Sequence, residues 1–222
     1  MPNLLLQSGE ITVSYIEAVM KIFGIGMNYL QHTEELDGRA YRPAEPVIFT
    51  KADSALLKDG KPFFVPDWSE RVDYEAELVV RICRLGKGIP VRFAHRYYDA
   101  LTVGIDFTAR DWQQRAREAG LPWTVSKGFD GSAALGRWVE RDLAGQPAVF
   151  RLDRNGRTVQ NGNSEQMLYS VDEIISYISR FFTLKTGDIL FTGTPAGVGP
   201  VAIGDHLEGW LDGERVLDFY CR

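Results

Sequence analysis

Apolar and polar positions follow two rhythms along the chain. From Val72 to Ile82 they alternate: Val72, Tyr74, Ala76, Leu78, Val80 and Ile82 form one apolar side, and Asp73, Glu75 and Glu77 share the other. Successive side chains of a strand point to opposite faces, so this run predicts a strand with one face in the core. From Val171 to Phe182 the apolar residues Val171, Ile174, Ile175, Ile178, Phe181 and Phe182 recur on one helical face. Ser170 and Glu173 form a capping box at its start. Further helices are predicted from Phe93 to Leu101, from near Thr108 to Gly120, and at the end of GIGMNYLQHTEE (24–35), where a glycine-broken strand turns into a helix.

Asp59-Gly60, Asn155-Gly156 and Asp212-Gly213 each separate two β-like runs. Such pairs accept the positive φ angles of tight hairpins and imply antiparallel sheet in three places. No repeat, low-complexity tract or Pro/Gly/Ser linker divides the chain. The expected architecture is a β-rich α+β domain with peripheral helices.

Composition narrows the function. The 222 residues carry 25 Lys+Arg against 30 Asp+Glu, a net charge of −5 that argues against a nucleic-acid surface. Cys83 and Cys221 fit no metal-ligand spacing and no disulfide framework, which points to a reducing, cytoplasmic compartment. The opening MPNLLLQSGE is too short in its apolar part for a signal peptide, and no apolar run approaches the roughly 20 residues that span a bilayer. No membrane partner is expected.

Candidate chemistry begins with Glu75 and Glu77. Carboxylates at i and i+2 lie about 7 Å apart on one strand face and repel each other unless a cation sits between them or both are solvated. A hard divalent cation and a solvated outer face are therefore both open readings. Asp106, at the end of the apolar run Leu101–Ile105, is either a third carboxylate or a helix N-cap. His32 and Glu35 share a helical face, where a carboxylate can raise the basicity of an imidazole, or where both simply face water. His95 and His206 read as ordinary surface residues, and three histidines in all argue against a multi-histidine zinc site.

Neither glycine-rich segment is a nucleotide motif. Gly24-Ile25-Gly26 is followed by Tyr29 where a dinucleotide fingerprint needs a small residue, and Gly193–Gly199 lacks the Lys-Ser/Thr of a phosphate loop. The second could offer backbone N–H groups and the Thr194 hydroxyl to a carboxylate, or be a plain turn. Arg110 and Gln113 share a helical face, and Lys127 follows in SKGFD, either charge-balancing a pocket or lying on the surface.

In order, GIGMNYLQHTEE, EPVIFTKADSAL, DYEAELVVRI, GIDFTARDWQ, GLPWTVSKGFD, VQNGNSEQM and LKTGDILFTGTPAGVGPV resemble the fumarylacetoacetate hydrolase family, from about Lys21 to Leu217. The sequence is most similar to short members acting on acylpyruvates and oxaloacetate. The resemblance implies a mixed β-sheet roll with peripheral helices, a short extension over 1–20 and a catalytic domain over 21–222. It implies that Glu75, Glu77 and Asp106 hold Mg²⁺ or Mn²⁺, that His32 and Glu35 form a water-activating dyad, and that Lys127 is an active-site lysine. Arg110, Gln113 and Thr194 become substrate contacts. Ala133-Ala134 and Ala52 depart from the family pattern and touch pocket shape rather than the inferred ligands.

The expected function is a metal-dependent hydrolase that cleaves a carbon–carbon bond in 2,4-dioxo acids, with oxaloacetate decarboxylation as a companion reaction. A metal-dependent isomerase of oxo or unsaturated diacids is the alternative enzyme, and a non-catalytic dimeric binding protein the alternative of another class. The partners implied are a small oxo acid and a second copy of the chain.

Overall fold

The computed structural model describes residues 20–222 apart from 39, 58–59, 142 and 144–145. The described residues begin with β1 (Ile22–Gly26), α1 (Leu30–Asp37), β2 (Val47–Lys51), β3 (Leu56–Leu57), β4 (Val72–Tyr74) and β5 (Ala76–Ile82). They continue through α2 (Val91–Ala94), β6 (Tyr98–Asp106), β7 (Thr108–Ala109), α3 (Arg110–Ala119), α4 (Thr124–Lys127), β8 (Ala133–Leu135) and β9 (Val139–Glu140). The last part holds β10 (Val149–Arg154), β11 (Arg157–Asn163), α5 (Val171–Phe181), β12 (Ile189–Phe191), β13 (Gly199–Pro200), β14 (His206–Leu211) and β15 (Glu214–Tyr220).

Three sheets result. The largest runs β2-β1-β12-β5-β6-β8-β3, with β9 also on β6. It is mixed, because β1 pairs with β12 and β3 with β8 in parallel while the other neighbours are antiparallel. β11-β10-β14-β15 make an antiparallel sheet, and β13-β4-β7 a small third one. Leu78, Val79 and Val80 are all fully buried, so the centre of β5 is covered on both faces.

The run from Val72 to Ile82 is therefore not one strand. It breaks at Glu75: the first half pairs with β7 and β13, the second with β6 and β12. The expected capping box is present, with Ser170 Oγ accepting from the Glu173 N–H and the Glu173 carboxylate from the Ser170 N–H. Val171, Ile174, Ile175 and Ile178 of α5 pack into the core.

The helix expected from Phe93 to Leu101 is reduced to one turn, α2, and Tyr98 already opens β6. Its apolar spacing belongs instead to a central strand flanked by β5 and β8, where Ala100, Leu101, Val103 and Ile105 are buried together. The next helix starts at Arg110 rather than near Thr108, because Thr108 and Ala109 pair with β4, and it ends as expected at left-handed Gly120.

Asn155-Gly156 and Asp212-Gly213 do turn hairpins, with φ of 52° and 75°, and 49° and 86°. Asp59 lies outside the described residues, but its flanks make no hairpin: β3 pairs in parallel with β8, and Phe63 in parallel with Cys221. Distant partners take both sides of that turn. Among the described residues no helix is long and apolar enough to cross a membrane.

Candidate active site

The break at Glu75 and the end of β6 meet. Antiparallel pairing sets Ala76 opposite Ile105, so Glu75 falls beside Asp106, and the Asp106 N–H donates to the Glu75 carbonyl at 2.8 Å. Glu77 lies two residues along β5. All three carboxylates are buried, and one oxygen of each lies within 4.8 Å of the others. Asp106 is no helix N-cap, since α3 starts four residues later at Arg110.

Two lysines face this trio. Lys127 Nζ donates to Glu75 Oε2 (2.6 Å), Asp106 Oδ2 (2.7 Å) and Thr108 Oγ1 (2.7 Å). Lys51, which the motif reading passed over, is fully buried at the end of β2 with Nζ 2.7 Å from Asp106 Oδ1. Its directed hydrogen bonds go to the Lys127 carbonyl and to the Ser132 carbonyl and hydroxyl. Asp106 Oδ1 thus has the Lys51 ammonium as its ion-pair partner.

Counted formally, Glu75, Glu77, Asp106 and Asp73 against Lys51, Lys127 and Arg110 leave one negative charge. Burial, then Asp106 and Glu75, push the Glu77 carboxyl well above its usual range. Glu75 goes the other way: burial opposes its ionisation, but Lys127 and Arg110 outweigh it and hold the carboxyl low. A hard divalent cation takes carboxylate oxygens as ligands. Three buried carboxylates converging within 4.8 Å, with a formal surplus of negative charge, fit such an ion, with Glu75, Glu77 and Asp106 as the residues to hold it.

His32 stands on the first turn of α1, buried and lining the same pocket. Asn28 fixes the approach: its side chain donates to the Tyr169 and Thr192 carbonyls and accepts from the Tyr169 N–H. Nδ1 of His32 lies 3.5 Å from Glu35 Oε2, too long for a formed hydrogen bond, and no other partner reaches that buried nitrogen among the described residues. Burial lowers the imidazole pKa, with Glu75 and Glu35 opposing, so the ring is neutral at pH 7.

The glycine loop after β12 does present N–H groups to carboxylates, and those carboxylates are the protein's own. Gly193 donates to Glu77 at 2.6 Å and Gly197 to Glu35 at 3.1 and 3.3 Å. The Thr194 hydroxyl donates to the Ala76 carbonyl and accepts from Gln160. Arg110 bonds Glu75, Asp73 and Gln113 at 2.7, 2.9 and 2.6 Å, so helix α3 is tied directly to the trio.

These groups open into a pocket with about 570 Å³ of empty space, part of it open to solvent. His32, Glu75, Glu77, Asp106, Lys127 and Thr194 line its buried part, and Phe49, Trp123 and exposed Arg117 its outer part. Glycines make the aromatic wall possible. A Cβ on Gly24 would lie 2.2 Å from the Phe49 ring, and one on Gly26 3.3 Å from Trp123.

Residues 21–217 match the family model of the fumarylacetoacetate (FAA) hydrolase C-terminal region. The chain belongs to this family. Its curled, mixed sheet with few helices is the fumarylacetoacetate hydrolase fold: the fumarylpyruvate hydrolase of Pseudomonas aeruginosa, solved with Mn²⁺ and pyruvate, superposes with a TM-score of 0.84 at 35% identity, over 91% of this chain and 89% of that one. The mitochondrial oxaloacetate tautomerase of Mus musculus is 36% identical over 88% of both chains. The mitochondrial oxaloacetate decarboxylase of Dictyostelium discoideum is 36% identical over 89% of this chain and 91% of that protein. The chain is an enzyme of the fumarylacetoacetate hydrolase superfamily.

Proposed function

We propose that this family member is a divalent-cation-dependent enzyme that hydrolyses the carbon–carbon bond of 2,4-dioxo acids, acylpyruvates such as acetylpyruvate or fumarylpyruvate, to pyruvate and a carboxylic acid. The observation that carries the reading is a buried His32 facing the same pocket as the carboxylate trio. The Mn²⁺ and pyruvate bound by the Pseudomonas relative support it.

Glu75, Glu77 and Asp106 would hold Mg²⁺ or Mn²⁺. When bound, the ion supplies Lewis acidity toward the carboxylate and 2-oxo oxygens of the substrate. Glu35, beside Nδ1, orients His32 with its proton on that nitrogen and leaves Nε2 to take a proton from water. The hydroxide adds to the distal carbonyl carbon. The bond between that carbon and carbon 3 then breaks, its electron pair passes to the pyruvate fragment, and the proton on His32 returns to carbon 3. Lys127 offsets negative charge as it builds on the oxo acid, and Arg110, Gln113 and Thr194 are assigned to substrate positioning. The enzyme would work as a homodimer, as the resemblance implies, and in the cytoplasm, as its two free cysteines suggest.

Likeness to an oxaloacetate tautomerase and an oxaloacetate decarboxylase favours a second reading, in which the same site moves a proton or loses CO₂ without adding water. His32→Ala separates the two. It should cut acetylpyruvate hydrolysis by about 10²–10⁴, the usual worth of a general base, while sparing most oxaloacetate decarboxylation. Glu75→Ala should remove both activities. Hydrolysis at the parent rate in His32→Ala would overturn the assigned base.

A further inference from the structure

The pocket changes character along its length. Its buried part carries Glu75, Glu77, Asp106 and Lys127, whereas its outer part is aromatic, with the Phe49 and Trp123 rings 6.0 Å apart and tilted by 59°. Arg117 stands in that outer part, on the last turn of α3. It follows Gln113 by four residues and Arg110 by seven, so the three share one helical face. At 1.5 Å per residue, Arg117 lies about 10 Å along the axis from Arg110 and about 6 Å from Gln113. Arg110 touches Glu75 and Gln113 is buried in the pocket wall, while Arg117 is exposed. The face thus runs from the carboxylate trio out to the mouth.

Charge decides what the mouth can take. Counted formally, Glu75, Glu77, Asp106 and Asp73 contribute −4 and Lys51, Lys127 and Arg110 +3, and a divalent ion would bring the total to +1. The carboxylate of one pyruvate head matches that. Arg110 is shared between Glu75 and Asp73, and all three Lys127 donors are taken by Glu75, Asp106 and Thr108. A second substrate carboxylate finds no counter-charge in the buried part. Among the described residues, the cationic side chain other than Lys127 that lines the pocket is Arg117, whose guanidinium can take a carboxylate through two parallel hydrogen bonds. Arg117 is already engaged, so a substrate carboxylate enters by exchange.

We propose that Arg117 selects dicarboxylic substrates, 2,4-dioxo acids whose acyl group ends in a second carboxylate. The proposal rests on the reading of the buried trio as the seat of the pyruvate head. The flat, unsaturated part of the acyl chain then lies between Arg117 and the Phe49–Trp123 wall, where aromatic faces favour it.

The test uses the full chain loaded with Mn²⁺ and compares fumarylpyruvate, which has a carboxylate tail, with acetylpyruvate, which has a methyl one. Arg117→Gln should lower the ratio of kcat/KM for fumarylpyruvate over acetylpyruvate about five- to tenfold, through KM, in keeping with a charged hydrogen bond at a solvent-exposed site. Arg117→Lys should recover part of the ratio, and Arg117→Glu should lower it further. Calorimetric titration of pyruvate and of 2-oxoglutarate, which share the 2-oxo-acid head, supplies a readout independent of turnover: Arg117→Gln should weaken 2-oxoglutarate relative to pyruvate by a similar factor. If pyruvate binds with Mn²⁺ and loses binding in Glu75→Ala, yet both ratios stay fixed in Arg117→Gln, the Arg117 assignment falls and the site reading stands. If pyruvate does not bind, or binds equally well in Glu75→Ala, the site reading falls and takes the proposal with it.

Discussion

His32 is the side chain whose protonation state the proposed hydrolysis depends on. Burial is the largest influence on it and disfavours the imidazolium, and the nearby carboxylates of Glu75 and Glu35 only partly restore it. A base must be unprotonated to act. With its pKa lowered, His32 stays competent as pH falls past 6.5, the ordinary imidazole value. At saturating Mn²⁺, the acid limb of kcat for acetylpyruvate hydrolysis should therefore fall below pH 6.5. Glu35→Gln, which removes a group that raises the pKa, should move the limb further to acid while lowering the plateau. A limb above pH 6.5 would contradict the buried, neutral base. The same residue scale shows what could be read in advance. Glu75 and Glu77 stood out because alternation put two acids on one face, and Asp106 because it closed an apolar run. Lys51 carried a signal that went unused: in β2 it shares a face with Val47 and Phe49, and a lysine on an otherwise apolar strand face needs a buried partner. That partner, Asp106, is far away in sequence, where local pattern is silent.

At the scale of elements, the hairpin turns and helices α3 and α5 were legible because their determinants are local: glycine at positive φ, a capping box, one apolar stripe. The strand from Tyr98 was not, because a strand buried on both faces loses its alternation and the apolar residues around it imitate helical spacing. β1 shows the opposite case. Gly24-Ile25-Gly26, unhelpful as a nucleotide motif, has its two glycines on one strand face, and there the Phe49 and Trp123 rings come to rest. Gly24→Ala would place a Cβ 2.2 Å from the ring of Phe49, on the neighbouring strand β2. Such overpacking costs about 1–3 kcal/mol, several degrees in Tm for a chain of this length, and displacing Phe49 from the pocket should raise KM as well. Gly24→Ala combined with Phe49→Leu should recover much of the lost Tm. Thermal melts of the two single variants and the double variant give the coupling, and simple additivity would mean that the clash is relieved elsewhere.

For the whole molecule, the site depends on long-range order that no motif encodes. β1 pairs in parallel with β12, some 167 residues away, and only that pairing sets His32 across from the loop bearing Gly193 and Thr194. The individual carboxylates were readable, the strand order that assembles them was not, since parallel pairing carries no local turn signal. Assembly also concentrates charge: of the five surplus negative charges in the sequence, one is left, counted formally, in the cluster of Glu75, Glu77, Asp106 and Asp73 with Lys51, Lys127 and Arg110. The folded chain without a cation pays for this at Glu77. Its carboxyl pKa is raised on folding, so the native state binds the proton more tightly than the unfolded one, and stability falls as pH rises from the unfolded value near 4.5 toward the raised one. A divalent ion held by the trio, as proposed, would reverse that loss. At a hundred times its Kd, Mn²⁺ should add about 2.7 kcal/mol, or roughly 5–11 °C in Tm, and a chelator should remove it. Glu77→Gln takes away both the strained carboxylate and a proposed ligand. At pH 7 it should raise Tm without metal and shrink the rise produced by Mn²⁺, as scanning calorimetry can measure. A Glu77→Gln variant that melts lower without metal and keeps the full rise with Mn²⁺ would show that Glu77 neither stores the strain nor holds the ion.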